Sequence, residues 1–516
     1  MRLSGLLKDV VWRGPAGFDP EVSAVTLDSR RAGAGSVFFA LPGLKADGGE
    51  FAGAAVAAGA PVVVSEHPLP GLGHLNVIVP DARLAVAIAA SNLYGRPCGE
   101  MKVAGVTGTN GKTTVTYVLE SIVAASGGGC GVIGTVEYRY AGQRFEASHT
   151  TPESVEIAAL LARMRDAGVG TAVMEVSSHA LAMSRVAGLS FDAVGFTNLT
   201  RDHLDYHRDM EGYFDAKARL FRASPIGGKT PKAVINIDDT FGMRLAALTR
   251  FPVIACSATP GGGADLYPVR SSISLDGIRA ELMTPDGTLE IVSAMVGAHN
   301  LMNILIAAGL AHAIGLGGHA IERGVASLAG VPGRLERVEN DRGVTCLVDY
   351  AHTDDALRNV LAALRPLCSG RIITVFGCGG DRDRGKRPLM GLAAAELSDL
   401  VVVTSDNPRT EEPSAIIGEI LPGVRSSGRP ELDMAGLSNA SAGFSVVMDR
   451  AEAIPAAVAA SRAGDVLLIA GKGHEDYQIL GTVKRHYSDR EEAGRAFAAG
   501  HGGTPGTPGT RKGPKQ

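Results

Sequence analysis

The run Gly105-Val106-Thr107-Gly108-Thr109-Asn110-Gly111-Lys112-Thr113-Thr114 holds the residue types that phosphate chemistry needs. Its glycines let backbone N–H groups turn inward onto phosphate oxygens. Lys112 can reach the outer phosphates of a nucleotide, and the Thr113 hydroxyl can hold Mg²⁺. The common form of such a loop has a glycine where this chain has Val106. Further on, Glu175, Ser177, Ser178 and His179 form one polar cluster. Asn198, Arg201, Asp202, His203, Asp205 and His207 form a second. His203 and His207 stand at the i, i+4 spacing that would suit zinc on a helix, but the carboxylates and hydroxyls nearby favour Mg²⁺. Three more charged runs follow: Asp349-Tyr350-Ala351-His352-Thr353, Asp406-Asn407-Pro408-Arg409 and Gly471-Lys472-Gly473-His474-Glu475.

Strands and helices must position these groups. Lys102-Val103-Ala104 reads as the end of a strand, and Val115 to Val123 as an amphipathic helix, so the glycine-rich run lies between strand and helix. From about 102 to 333, short apolar runs alternate with helical stretches. The strands expected there are Gly131–Gly134, Thr171–Val176, Asp192–Thr197 and Ala233–Asn236. Such runs suit a parallel sheet buried on both faces, with ligand groups at the carboxyl ends of its strands. A third α/β unit, from 334 to 495, has expected strands at Thr345–Tyr350, Arg371–Phe376, Leu400–Thr404 and Asp465–Ala470. Residues 1–101 form a smaller α/β unit, with strands at Ser36–Leu41 and Ala60–Ser65 and an Ala-rich helix between them. Val331-Pro332-Gly333-Arg334 reads as a hinge. From 496 to 516 the chain is rich in Gly, Thr, Pro and Lys and reads as a disordered tail.

A chain of 516 residues is too long for one core. The net charge of −4 gives no reason to expect nucleic acid or an anionic membrane as partner. The six cysteines form no C-x-x-C pair, which fits a reducing cytosol. No apolar run reaches the ~18 residues of a membrane span, and no signal peptide is read. The expectation is a cytoplasmic protein.

Taken together, the glycine-rich run, Met174-Glu175-Val176-Ser177-Ser178-His179, Thr197 to Asp205 and the three later charged runs resemble the Mur ligase family. The likeness runs from about residue 22 to 492. That family's own loop is the Gly-Thr-Asn-Gly-Lys-Thr form, so Val106 is no obstacle. The resemblance implies an α/β fold of three domains: a UDP-binding domain, a central P-loop ATPase-like domain with a parallel sheet, and a Rossmann-like C-terminal domain. It implies ATP-dependent addition of meso-diaminopimelate to UDP-N-acetylmuramoyl-L-alanyl-D-glutamate through an acyl phosphate, in peptidoglycan precursor synthesis.

It also implies site residues. Gly108, Thr109, Asn110, Gly111, Lys112, Thr113 and Thr114, with Asn300, Arg334 and His352, match ATP-side positions. Leu27, Ser29, Leu44, Lys45 and Ala46 match UDP contacts, and Thr150, Thr151, Ser177 and Arg185 match those of the muramoyl dipeptide. Met183 stands where some relatives carry Gln, and a thioether cannot make an amide's hydrogen bonds. Thr113 matches a Mg²⁺ position beside the phosphates, and Glu175 and His203 match the ligands of a second Mg²⁺. By residue type alone Lys217 is a helix-surface lysine; the resemblance makes it the family's carbamylated lysine, a CO₂ adduct beside the metal. Arg382, Asp406, Asn407, Pro408, Arg409, Gly471 and Glu475 match contacts to diaminopimelate. The partners so implied are small molecules only.

Two other activities use the same parts. An L-lysine-adding enzyme or a folylpolyglutamate synthetase would form an amide on other substrates. A P-loop switch or motor would hydrolyse ATP without an amine.

Overall fold

The computed structural model describes residues 1–43, 46–222 and 228–499. They fall into two compact units. One comprises Met1–Ser272, Ile278–Ser293 and His299–Ala329; the other comprises Ile273–Gly277, Ala294–Ala298 and the chain from Gly330 on.

The first unit opens on a parallel sheet of β1 (Ala24–Thr26), β2 (Ser36–Phe39), β3 (Val62–Ser65) and β4 (Asn76–Ile78), in that spatial order. Side chains alternate along a strand. Val37 and Phe39 therefore face the core that includes Ala85, Val86 and Ala89 of the helix Ala82–Leu93, while Phe38 faces the one with the Ala-rich helix Ala52–Ala57.

Eight strands form the next sheet: β5 (Lys102–Thr107), β6 (Cys130–Ile133), β7 (Glu137–Tyr140), β8 (Gln143–Glu146), β9 (Thr171–Glu175), β10 (Ala193–Phe196), β11 (Lys232–Asn236) and β12 (Val253–Cys256). Their order is β12-β11-β10-β5-β9-β6-β7-β8. The first six in that order are mutually parallel; β7 and β8 add on antiparallel. β9 is buried along its whole length, as a strand covered on both faces must be. Three antiparallel strands follow, β13 (Tyr267–Ser274), β14 (Gly277–Thr284) and β15 (Gly287–Ser293).

The second unit is built on β16 (Glu336–Val338), β17 (Thr345–Asp349), β18 (Ile372–Phe376), β19 (Leu400–Val403), β20 (Gly443–Val446) and β21 (Val466–Ala470), in the order β16-β17-β21-β18-β19-β20. Only β16 runs antiparallel to its neighbour. Leu347, Ile372 and Phe376 face one core; Cys346, Val348, Ile373 and Val375 face the other. A hairpin of β22 (Tyr477–Leu480) and β23 (Val483–His486) and the helix Asp489–Ala499 complete the unit. Among the described residues no helix is long and apolar enough to cross a membrane.

The strands expected with both ends are present, within two residues at each end; Lys102–Ala104, expected as the end of a strand, instead begins β5, which runs on to Thr107. The antiparallel additions were not expected. Their signals are turn residues: Asp276-Gly277 and Asp286-Gly287 join β13–β15, and Ala141-Gly142, both at positive φ, joins β7 to β8. The last helix also runs beyond the expected boundary at 495. Phe497 is buried in the second unit's core, so the helix continues to Ala499. Residues 500–516 lie outside the described residues.

Candidate active site

The glycine-rich loop joins β5 to the helix Lys112–Ala125. Gly108 and Gly111 have φ of 149° and 88°, values that L side chains rarely adopt. A Cβ at Gly108 would collide with the Thr197 hydroxyl, and one at Gly111 with the Asn303 amide oxygen. The loop is pinned from β10: Asn110 donates its backbone N–H to Asn198 Oδ1 at 2.9 Å, and Thr197 Oγ1 donates to the Asn110 carbonyl at 2.6 Å. Asn303 in turn donates to Asn300 Oδ1 at 2.9 Å, which sets the buried Asn300 under the loop in the first unit.

Two ammonium groups meet at one loop carbonyl. Lys112 Nζ donates to the Gly108 oxygen at 2.9 Å and to that of Thr109 at 2.9 Å. Lys217 Nζ donates to the same Gly108 oxygen at 2.8 Å and lies 4.5 Å from the Tyr213 ring centre. Lys217 is 1% exposed, so it is not the surface lysine that its residue type suggests. Burial, with Lys112 adding to it, pushes its amine well below the ordinary lysine value.

At the end of β9, Glu175 is 1% exposed. Thr113 Oγ1 lies 3.0 Å from each of its oxygens; Thr135 adds its N–H at 2.8 Å and its hydroxyl at 2.9 Å. Thr135 also meets the Thr150 hydroxyl at 3.1 Å. Thr151 Oγ1 donates to the Glu175 carbonyl at 2.8 Å and accepts the Ser177 N–H at 3.0 Å. Arg185 donates to the Thr151 carbonyl at 2.9 Å and pairs with Glu153 at 2.6 Å. The structure thus brings Thr150, Thr151, Ser177 and Arg185 together around Glu175. Met183 faces this group through its sulfur, a weak acceptor 3.5 Å from Arg185 Nη2.

His203 has a left-handed backbone, φ 53°, and lies beside His179 at 4.9 Å and Tyr213 at 6.2 Å between ring centres. Burial lowers the pKa of both imidazoles and takes His207 down to about 4. His207 bonds to Ser178 at 2.9 Å, not to a metal-ligand partner. Among the described residues no group of three or more His, Cys, Asp or Glu is arranged to hold a metal.

Leu27 and Ser29 are partly buried at the turn after β1, where Asp28 caps the short helix Ser29–Arg31. Ala46 is exposed, and Leu44 and Lys45 lie outside the described residues.

The second unit gathers another set. Arg334 lies 4.7 Å over the Tyr350 ring, and His352 Nδ1 meets the Tyr350 carbonyl at 2.9 Å. Asp349, whose carboxyl burial pushes up, accepts the N–H of Leu335 and of Ala351. Beyond β19, Asp406, Asn407 and Pro408 are buried. Arg409, at φ 53°, donates its N–H to the Ile479 carbonyl at 3.1 Å and its Nη1 to the Gly380 carbonyl at 2.8 Å. Arg382 is exposed on the loop carrying Gly380. Gly471 lies beside Asp406, and Glu475 accepts from Asn407 Nδ2 at 2.8 Å.

Sequence reasoning missed Thr135 and Asn303, and named Asn198 and Lys472 within polar runs without giving either a role. Thr135 and Asn303 were visible only as isolated polar residues, and the partners of Thr135, Asn198 and Asn303 lie 40 to 192 residues away in the chain.

Three family descriptions match successive stretches of the chain. The Mur ligase family catalytic domain matches residues 21–92, the Mur ligase middle domain 106–311, and the Mur ligase glutamate ligase domain 333–473. The UDP-N-acetylmuramoyl-L-alanyl-D-glutamate–2,6-diaminopimelate ligase of Geobacter metallireducens is 50% identical over 485 residues, covering 92% of this chain and 94% of that one. Its namesake from Geobacter sulfurreducens is 48% identical over 491 residues, covering 94% and 96%. A solved structure of a UDP-N-acetylmuramoyl-L-alanyl-D-glutamate–2,6-diaminopimelate ligase matches with a TM-score of 0.68 at 33% identity, over 93% of this chain and 96% of that one.

Proposed function

The chain belongs to the Mur ligase family, and from that premise we propose that it is the ATP-dependent ligase joining meso-diaminopimelate to UDP-N-acetylmuramoyl-L-alanyl-D-glutamate. It would act in the cytoplasm, in peptidoglycan precursor synthesis, on which cell shape and division depend. The substrate carboxylate attacks the γ-phosphorus of ATP and ADP leaves. The amine of diaminopimelate then attacks the acyl carbon, inorganic phosphate leaves, and the amine proton passes to solvent.

One observation carries this reading. The phosphate loop, the buried Glu175 and the Thr151–Ser177–Arg185 group meet at the adjacent ends of β5 and β9. On this reading a nucleotide phosphate and an acidic substrate would be directed to one place. Residues 108–114 and Asn300 would cradle ATP from the central domain, taken as 102–333, with Arg334 and His352 contributing from the C-terminal domain. Leu27, Ser29, Leu44, Lys45 and Ala46 would hold the UDP group on the domain at 1–101. Thr150, Thr151, Ser177 and Arg185 would hold the muramoyl dipeptide.

Thr113 would hold Mg²⁺ at the phosphates, and Glu175 and His203 a second Mg²⁺, with Lys217 as a carbamate. The donors fit a hard cation: a buried carboxylate and a hydroxyl already lie 3.0 Å apart. Few protein ligands suit Mg²⁺, which commonly draws the rest from phosphate and water. When bound, it would neutralise charge developing on the phosphates. A depressed Lys217 supplies the neutral amine that CO₂ addition requires. At the other site, Arg382, Asp406, Asn407, Pro408, Arg409, Gly471 and Glu475 would receive diaminopimelate, with the Arg409 guanidinium on its distal carboxylate.

Phosphate release over a panel of amino acids tests the proposal. Release is expected only when ATP, the UDP-muramoyl dipeptide and meso-diaminopimelate are all present. Steady hydrolysis that ignores both acceptor and amine would mean a switch or motor instead.

A further inference from the structure

Lys472 stands between two of the proposed diaminopimelate contacts, Gly471 and Glu475, and has been given no role. Its side chain is 0% exposed, a costly place for an ammonium unless acceptors surround it. Three do. Nζ lies 3.4 Å from Asp406 Oδ1, 3.3 Å from Asn407 Oδ1 and 3.4 Å from Glu475 Oε2. The near-equal lengths describe one cation shared by three oxygens, not a single ion pair. Every one of those oxygens belongs to a residue proposed to meet the amino acid.

The arrangement closes on itself. Asn407 Nδ2 donates to the same Glu475 Oε2 at 2.8 Å. Both of these bonds to Glu475 therefore fall on Oε2. Asn407 Oδ1 also accepts the Ile479 N–H at 3.0 Å, and the Ile479 carbonyl accepts the Arg409 N–H at 3.1 Å. A continuous set of hydrogen bonds thus links Lys472 to the backbone of Arg409.

We propose that Lys472 is a positioning residue of the amino-acid site, acting through Glu475 and the Asp406–Arg409 turn to set affinity for the incoming diamino acid. The proposal rests on the reading of Glu475 and Arg409 as amino-acid contacts. A lysine that merely neutralised buried charge would stabilise the fold and leave substrate discrimination alone.

Glu475 provides a readout that separates the two. Burial pushes its carboxyl up, and Asp406 pushes the same way; Lys472 and the Asn407 hydrogen bond oppose them. The other ionisable groups facing it are Tyr350, after β17, and Tyr477, on β22. Lys472→Met removes the opposing charge, so Glu475 should hold its proton to higher pH. KM for diaminopimelate in that variant should then be high at low pH and fall as pH rises.

The test compares Lys472→Met, Lys472→Arg, Glu475→Gln and the Lys472→Met/Glu475→Gln double variant in the full chain, across pH. Lys472→Met should raise KM for diaminopimelate about tenfold or more, with KM for ATP and for the UDP-dipeptide within about twofold of native. The double variant should be no worse than the poorer single one, and its KM should lose the added pH dependence. Lys472→Arg keeps the charge that burial demands; should the methionine variant not fold, it must raise the same KM by a smaller factor. A native KM for diaminopimelate in both lysine variants, an equal rise for all three substrates, or additive effects with Glu475→Gln would overturn the proposal. If Glu475→Gln alone leaves that KM unchanged, the site assignment has failed before the role of Lys472 is at issue.

Discussion

Two lysines, one in each unit, are buried almost completely and are handled in opposite ways. Lys472 sits among two carboxylates and an amide oxygen. Lys217 has a backbone carbonyl, which it shares with Lys112, and the face of Tyr213. The first cation is compensated by the protein and fixes geometry. The second reaches from its helix to the phosphate loop, where burial favours the neutral amine and leaves the site to be completed by groups brought from outside. On the proposed function these are the right designs. Phosphates and a carbamate would complete the loop site, while a zwitterionic amino acid needs a receptor whose charges are already in place.

The largest effect should come from the incomplete site. Lys217→Ala is expected to lower kcat roughly 10³-fold or more, because the carbamate would supply the anion that orders the metal. Formate or acetate should restore part of that activity. Neither should help Lys472→Met, where the missing charge is positive. Full activity of Lys217→Ala without added acid would erase the contrast between the two lysines.

Next in size is the balanced site's selectivity. L-Lysine lacks the distal carboxylate of diaminopimelate and would leave the partly buried Arg409 guanidinium without that partner. The cost should be about 3–4 kcal/mol, or roughly two to three decades in kcat/KM. Arg409→Ala should remove most of that preference. Comparable kcat/KM for lysine and diaminopimelate in the native enzyme would show that the site is tuned to something else.

A smaller loss is expected from backbone geometry alone. A Cβ on Gly380 would overlap the Pro408 carbonyl oxygen, so Gly380→Ala must push apart the loop and turn that carry Arg382 and Arg409. Overpacking of this kind costs about 1–3 kcal/mol, and KM for diaminopimelate should rise roughly tenfold. Gly418→Ala is the control, since a Cβ there meets open space. Equal kinetics for the two variants would mean that the turn's seating is irrelevant to binding.

The loop site was more legible in the sequence than the balanced one, and the reason is range. Gly108, Gly111, Lys112 and Thr113 do their work within one strand–turn–helix, so their types and spacing announce it. Glu175 could be placed because an apolar run ends on it. Lys217 could not be weighed from residue type: the exposed stripe of its helix runs through Glu211 and Asp215, while Lys217 lies off it among the buried Tyr213, Phe214, Ala216 and Ala218, and only the loop packed against that face shows why a lysine stands there. Lys472 lies between two glycines and reads locally as a solvated turn. Its partners Asp406 and Asn407 are 66 and 65 residues away, and only the pairing of β21 with β18, and of β18 with β19, brings them near. The fold itself was readable in its parallel strands, whose apolar runs are continuous. The hairpins were not, because half-exposed strands carry mixed residues and only their turns speak.

The smallest effect expected concerns how the balanced site is held. Glu411 accepts the Asp381 N–H at 2.6 Å and Arg387 Nη2 at 2.8 Å on Oε1, and Arg384 and Arg387 Nη1 at 3.0 Å each on Oε2. It ties the loop of Arg382 to the turn of Arg409. The Arg387 hydrogen bonds, followed by the Asp381 N–H, pull its carboxyl down to about 2. A folded pKa below the unfolded one means stability that is fully present above about pH 4.5 and lost as pH falls toward about 2. Glu411→Gln should therefore be less stable than the native chain at neutral pH, and the gap should close on acidification. The loss should be modest, because Glu419 still pairs with Arg387 at 2.8 Å and with Arg384 at 3.4 Å. Urea midpoints of both chains between about pH 3 and pH 7 measure it, and the difference cancels the other carboxylates that titrate in that range. Curves that stay parallel would show that Glu411 contributes no acid-labile stability, and that the loop and turn are held by packing, as Gly380 against Pro408 already suggests.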